Sequence, residues 1–202
     1  MSDFKLYNVK ENYGFYNDIF KRLCCENNDV FEKQSKICKT KFVKRILVDI
    51  GHNNGYKVYA NGLKDEIVEI STHSIFSDGK KFVNKEWLYD VHWYEDINDK
   101  FFTPKKLILA CECEWAKGKK PSFNQSLIDI GYDFQKLLFC NAEEKLFIMR
   151  LSKISFLKEL ATYFKNAIEL YENLPHSSKF TIVCFCLEDK NIYILQLIKC
   201  TR

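Results

Sequence analysis

The chain has 202 residues, 47% of them hydrophobic with only seven Gly and three Pro, which excludes the disordered and collagen-like classes and is enough for a core that needs neither disulfide nor structural metal. Its net charge of +4 is the difference between 31 basic and 27 acidic residues, too mild to establish a nucleic-acid partner; most of the bases are lysine, a point charge toward phosphate and not the rigid fork that reads guanine edges. Nine cysteines, an odd number without a CxxC pair, argue for reduced thiols and against a disulfide framework or a zinc site, and no apolar stretch approaches a membrane span, so the expectation is a cytoplasmic protein with no membrane contact.

Taken in chain order, residues 13 to 34 carry Phe15, Ile19, Phe20, Leu23, Val30 and Phe31 at helical spacing, with Asn27-Asn28-Asp29 as a break. Residues 1–38 are therefore expected as a helical extension ahead of a single domain over 39–202. Between Lys33 and Arg45 lie six bases and no acid, on an amphipathic helix expected to end near Gly51. Its basic face, with Lys41, Lys44 and Arg45, is available to phosphates, or is simply solvated. Asn53-Asn54-Gly55 is a turn into a strand at 56–60, and the polar residues 61–85 are an insertion with one possible strand at 66–70.

Strands are expected at 87–94 and 106–115, followed by a helix from Ser122 to Cys140 with Ser122 or Asn124 as its cap. A strand at 145–151 and a helix from Ser152 or Ser155 to Asn173, stopped by Pro175, come next. Two last strands at 180–187 and 191–198 are joined by Glu188-Asp189-Lys190 as a hairpin. Cys111, Cys113, Cys184 and Cys186 lie at strand spacing, and Trp87, Trp93 and Trp115 are expected in or beside the core. This alternation predicts an α/β fold, a mixed sheet with helices packed on its faces.

Glu112 and Glu114 stand out, because LILACECEW otherwise reads as a buried strand in which carboxylates are costly to desolvate. Alternation puts both on one face with Ile108 and Ala110. The preceding strand places Asp90 on a face with His92, and ~11 connecting residues let it return antiparallel so that Asp90 and Glu112 converge. Two neighbouring carboxylates repel each other, and a hard divalent cation such as Mg²⁺ or Mn²⁺ relieves that repulsion with oxygen ligands. The bland alternatives are an exposed strand face for the glutamates and a lysine-paired strand end for Asp90.

YDVHWYED, then LILACECEW, SLIDIGYDFQKLL and KLFIMRL, over residues 39 to 151, resemble the PD-(D/E)xK, or restriction endonuclease-like, nuclease superfamily, with its helix, three strands, helix, strand core. The resemblance implies a three-layer α/β/α domain and Mg²⁺- or Mn²⁺-dependent cleavage of DNA, double-stranded sooner than RNA, with a homodimer if both strands are cut. It implies metal-ligand roles for Asp90, Glu112 and Glu114, the last standing where the family usually has its catalytic Lys. Lys136 on the following helix is then the candidate for a migrated Lys, and Asp49 is the one acid on the first helix. Lys117, Lys119 and Lys120, just past the Glu strand, are placed to neutralise the DNA backbone with Lys41, Lys44 and Arg45. The departure at Glu114 leaves open a catalytically inactive relative that binds nucleic acid or a protein.

Overall fold

The computed structural model describes residues 4–25, 36–60, 63, 88–97, 104–115 and 122–199. Its elements are β1 (Lys5–Leu6), a 3-10 turn (Gly14–Tyr16), α1 (Asn17–Cys25), α2 (Lys36–Asn53), β2 (Lys57–Ala60), β3 (Val91–Asp96), β4 (Pro104–Trp115), α3 (Phe123–Leu138), β5 (Glu144–Leu151), α4 (Phe156–Leu170), β6 (Lys179–Cys186) and β7 (Ile192–Ile198). The fold is α/β with mixed strand pairing: β5 and β6 are parallel, whereas β2–β3, β6–β7 and β1–β7 are antiparallel. Two units divide the chain, Val9–Ala110 and Cys111–Arg202 with Met1–Asn8. The strands are ordered β2-β3-β4 in the first unit and β4-β5-β6-β7-β1 in the second, β4 contributing its first half to one and its second half to the other.

In the Val9–Ala110 unit, α1 packs on α2, and its Ile19, Phe20 and Leu23 are fully buried, so the expected N-terminal extension contributes core. Arg22 of α1 pairs with Asp49 of α2. Helix α2 runs past Gly51 to Asn53, because this glycine is a packing residue and not a stop. A Cβ on Gly51 would meet Trp93 Nε1 at 2.7 Å and Val58 Cγ2 at 2.8 Å. Both neighbours are buried, so Gly51→Ala is expected to destabilise the chain by about 1–3 kcal/mol through overpacking, despite the better helix propensity of alanine. Urea denaturation of the variant beside the wild type measures it. The strand expected from Trp87 begins instead at Val91, because its ladder with β2 ends at the pair Ala60–Val91 and residues 88–90 form a bend.

In the other unit, β5 and β6 are buried along nearly their whole length, as parallel strands covered on both faces are. Ser122 caps α3 as expected, its hydroxyl accepting from Gln125 N at 3.3 Å. The buried Lys199 closes the other helix: its ammonium donates to the carbonyls of Ile168 at 2.9 Å, Glu169 at 2.6 Å and Tyr171 at 3.3 Å, neutralising the negative end of α4. The hairpin after β6 turns on Asp189, which accepts from Asn191 N at 3.2 Å and from the Tyr193 hydroxyl. Strand β1, two residues long and not expected from the sequence, pairs Lys5 with Ile194 and Leu6 with Tyr193. Among the described residues, Cys24, Cys38, Cys111, Cys113, Cys140, Cys184 and Cys186 are not in disulfides. Among the described residues, no helix is long and apolar enough to cross a membrane.

Candidate functional site

The acidic residues singled out above lie in two settings, one in each unit. In the Val9–Ala110 unit, Asp90 sits in the bend just before β3, and its carboxylate meets Lys44 Nζ at 2.9 Å. Lys44 is buried and faces Asp90; Lys41 beside it is half-buried, and Arg45 is exposed. Lys39, another base of that cluster, is buried too. Asp49 is engaged with Arg22.

Two residues beyond Asp90, His92 is buried and stacked on Tyr59, ring centroids 4.7 Å apart and 14° from parallel. Burial pushes its pKa down to about 4, because the apolar surroundings penalise the imidazolium. An unfolded imidazole titrates near 6.5, so as pH falls the unfolded state takes up the proton first. Stability is therefore expected to drop between pH 6.5 and about 4, by on the order of 3 kcal/mol in total. Denaturant midpoints across that range, with His92→Gln removing most of the slope, measure it. Nearby, Lys57 pairs with the buried Asp96 at 3.3 Å, and burial together with Tyr59 and Asp96 raises the Tyr94 phenol.

In the second unit, Glu112 of β4 is only 2% exposed, which removes the exposed-face reading. Its Oε2 accepts from Lys136 Nζ of α3 at 3.3 Å, and the same ammonium meets Asp133 at 2.8 Å and lies 5.7 Å from the centre of the Tyr132 ring. Burial pulls the Lys136 pKa down, but Asp133 and Glu112 outweigh it and hold the ammonium above its ordinary value. Glu114, half-buried, acts electrostatically on Arg150 of β5: burial lowers the guanidinium pKa and Glu114 opposes the shift. Asp133 and Arg150 are members of this cluster that sequence reasoning passes over. Asp133 has a signal, its i,i+3 spacing to Lys136; Arg150 has none beyond its place after the apolar run Leu146 to Met149.

Lys117, Lys119 and Lys120 lie outside the described residues, as do Trp87 and the insertion apart from Leu63. Trp93 and Trp115 are buried, as expected. The carboxylates of Asp90, Glu112 and Glu114 have the oxygen chemistry that a hard divalent cation takes. Among the described residues, however, no three or more His, Cys, Asp or Glu side chains gather into a group able to hold a metal ion. The donor type suits Mg²⁺, and the grouping does not by itself make its site. No protein-family model, no curated protein and no solved structure matches this chain.

Proposed function

We propose that this chain is a metal-dependent nuclease of restriction endonuclease-like, three-layer α/β/α fold that hydrolyses phosphodiester bonds of double-stranded DNA with Mg²⁺ or Mn²⁺. The element order supports it: α2, β2, β3, β4, α3 and β5 follow one another as helix, three strands, helix and strand. The observation that carries it is Glu112, a carboxylate buried among the apolar residues Ile108 to Cys113 of β4 and bridged to Lys136 from the next helix. A buried carboxylate with a lysine contributes little to stability, so an acid in such a place is better explained by chemistry than by packing.

On this reading Glu112 and Glu114 are the carboxylates that would hold the ion, with the ligand role of Asp90 resting on the resemblance alone, and the ion would supply polarisation of the phosphoryl group and a more acidic water. Lys136, kept charged by Asp133 and Glu112, offers a positive group beside Glu112 that stabilises charge developing on phosphate oxygens. Arg45, exposed on α2, and Lys41 track the backbone, and cutting both strands takes two copies of the chain.

The experiment is cleavage of plasmid DNA in Mg²⁺ or Mn²⁺. The wild type is expected to nick or linearise it, and Asp90→Ala and Glu112→Ala to leave it intact. No cleavage by the wild type, or full cleavage by both variants, ends this reading. A second reading, a non-catalytic relative that binds nucleic acid or a protein, is favoured by one observation: both motif acids are held by lysines, Asp90 by Lys44 at 2.9 Å and Glu112 by Lys136 at 3.3 Å. Calorimetry with no Mg²⁺ or Mn²⁺ heat, beside salt-sensitive DNA binding, is the result that selects it.

A further inference from the structure

Helix α3 presents an unusual outer face. Its exposed positions, continued through the helical cap residue, are Asn124, Gln125, Ile128, Tyr132, Gln135 and Phe139, and none of them carries a charge. On α4 the exposed positions include Lys158, Glu159, Lys165 and Glu169, the ordinary composition of a solvated helix in a chain that is 29% charged. Three of the α3 residues are large and apolar or aromatic yet open to solvent: Ile128 at 66%, Tyr132 at 71% and Phe139 at 66%. At 100° per residue they fall within about 40° of one another around the helix, so they form one straight stripe. Phe139 packs edge-on against Tyr171 with centroids 5.4 Å apart, and Leu170, 69% exposed, stands next to that ring in sequence and extends the apolar surface.

We propose that this stripe is an interface between two copies of the chain, packed as an antiparallel pair of α3 helices about a two-fold axis. Two arguments select a second copy as the occupant. The first is charge. The chain is net positive, and its other described α-helices expose or carry formal charges, so two copies repel or must desolvate ions wherever such faces meet. The nearest charge to the α3 stripe, Lys136 beside Tyr132, is already paired with Asp133 and Glu112, so two copies meet there at less such cost, and depletion of charge with enrichment of aromatics is the composition of interface centres.

The second argument is self-complementarity, which a two-fold contact requires. With the axis passing between residues 133 and 134, Ile128 faces Phe139 of the second copy, and Phe139 faces its Ile128. Tyr132 faces Gln135 of the second copy, where the phenol hydroxyl donates to the amide oxygen. Each apolar residue thus has an apolar counterpart, each polar one a hydrogen-bonding counterpart, and the rotation that makes one contact makes the other. This inference stands apart from the catalytic reading, since it is read out as mass and not as cleavage.

Sedimentation equilibrium of the full chain from ~1 to ~100 µM tests it. The wild type is expected at twice the monomer mass of 24.0 kDa in the upper part of that range. Ile128→Glu and Gln135→Glu each place a carboxylate in the contact without touching the core, and each is expected to weaken association by on the order of 100-fold. Lys165→Glu, on the exposed face of α4, is expected to leave it unchanged. Circular dichroism melts confirm that each variant is folded. A wild type that stays monomeric at ~100 µM overturns the proposal, and so does a dimer that neither carboxylate weakens, since that dimer uses another face.

Discussion

Glu112→Gln is expected to reduce phosphodiester cleavage by on the order of 10²–10³-fold while leaving the chain folded. The substitution keeps the shape of a side chain that is 2% exposed and removes only its charge. Lys136 is not stranded by the change, because Asp133 remains 2.8 Å from its ammonium. The usual penalty for breaking a buried ion pair, an uncompensated charge left in the interior, therefore does not arise, and the melting temperature is expected to move little. Cleavage rates and thermal melts of the same preparation separate the outcomes. A variant that cuts at the wild-type rate takes this carboxylate out of the chemistry; one that cuts poorly and also melts far lower marks Glu112 as a structural group.

The largest loss of stability is expected from Phe134→Ala, about 3–5 kcal/mol. Phe134 of α3 is fully buried at the junction of three elements. Its ring lies 4.6 Å from that of Phe164 on α4, 5.8 Å from Phe147 on β5 and 5.7 Å from Phe180 on β6. Removing it takes away transfer free energy and opens a void that the three surrounding rings are poorly able to fill. Since a domain of this size keeps roughly 5–15 kcal/mol in all, the variant is expected to lose a large share of it. Denaturant titration gives the value, and Phe134→Leu, which refills much of the space, is expected to lie between the two.

The long elements are legible because their signals are local. β5, β6 and β7 are apolar runs bounded by turn residues, and α3 has its stripe of Leu127, Ile130, Phe134 and Leu137 behind the Ser122 cap. Strand β1 is not legible, since two residues have no periodicity to read. Helix α2 ends later than its sequence suggests, because Gly51 answers to Trp93, a partner more than forty residues away. The basic segment shows the same limit. Spacing puts Lys39, Lys41, Lys44 and Arg45 on one helix, but only tertiary structure buries Lys39 and Lys44 and turns Lys44 to Asp90. In the acidic cluster, local reasoning finds the anomaly at Glu112, whereas Lys136 is named only through the family resemblance. It passes over Arg150, because which cation answers Glu114 is decided by strand order, and strand order is not written in the alternation of either strand.

The pairing of β1 with β7 orders events in time. Residues 9–110 form one continuous stretch of chain, so that unit has all its segments as soon as they have been synthesised. The other unit takes residues 5 and 6 from before that stretch and pairs them with residues 193 and 194 after it. Closing so long a loop costs only slightly more entropy than closing a short one, so the burden falls on rate and not on stability. β1 is then expected to be the last strand to dock, after β7 has joined β6, and the first to leave. The amide of Tyr7, which donates to the Ile192 carbonyl at 2.8 Å, is the reporter of that step, and hydrogen exchange is expected to find it opening well before the amides of β6.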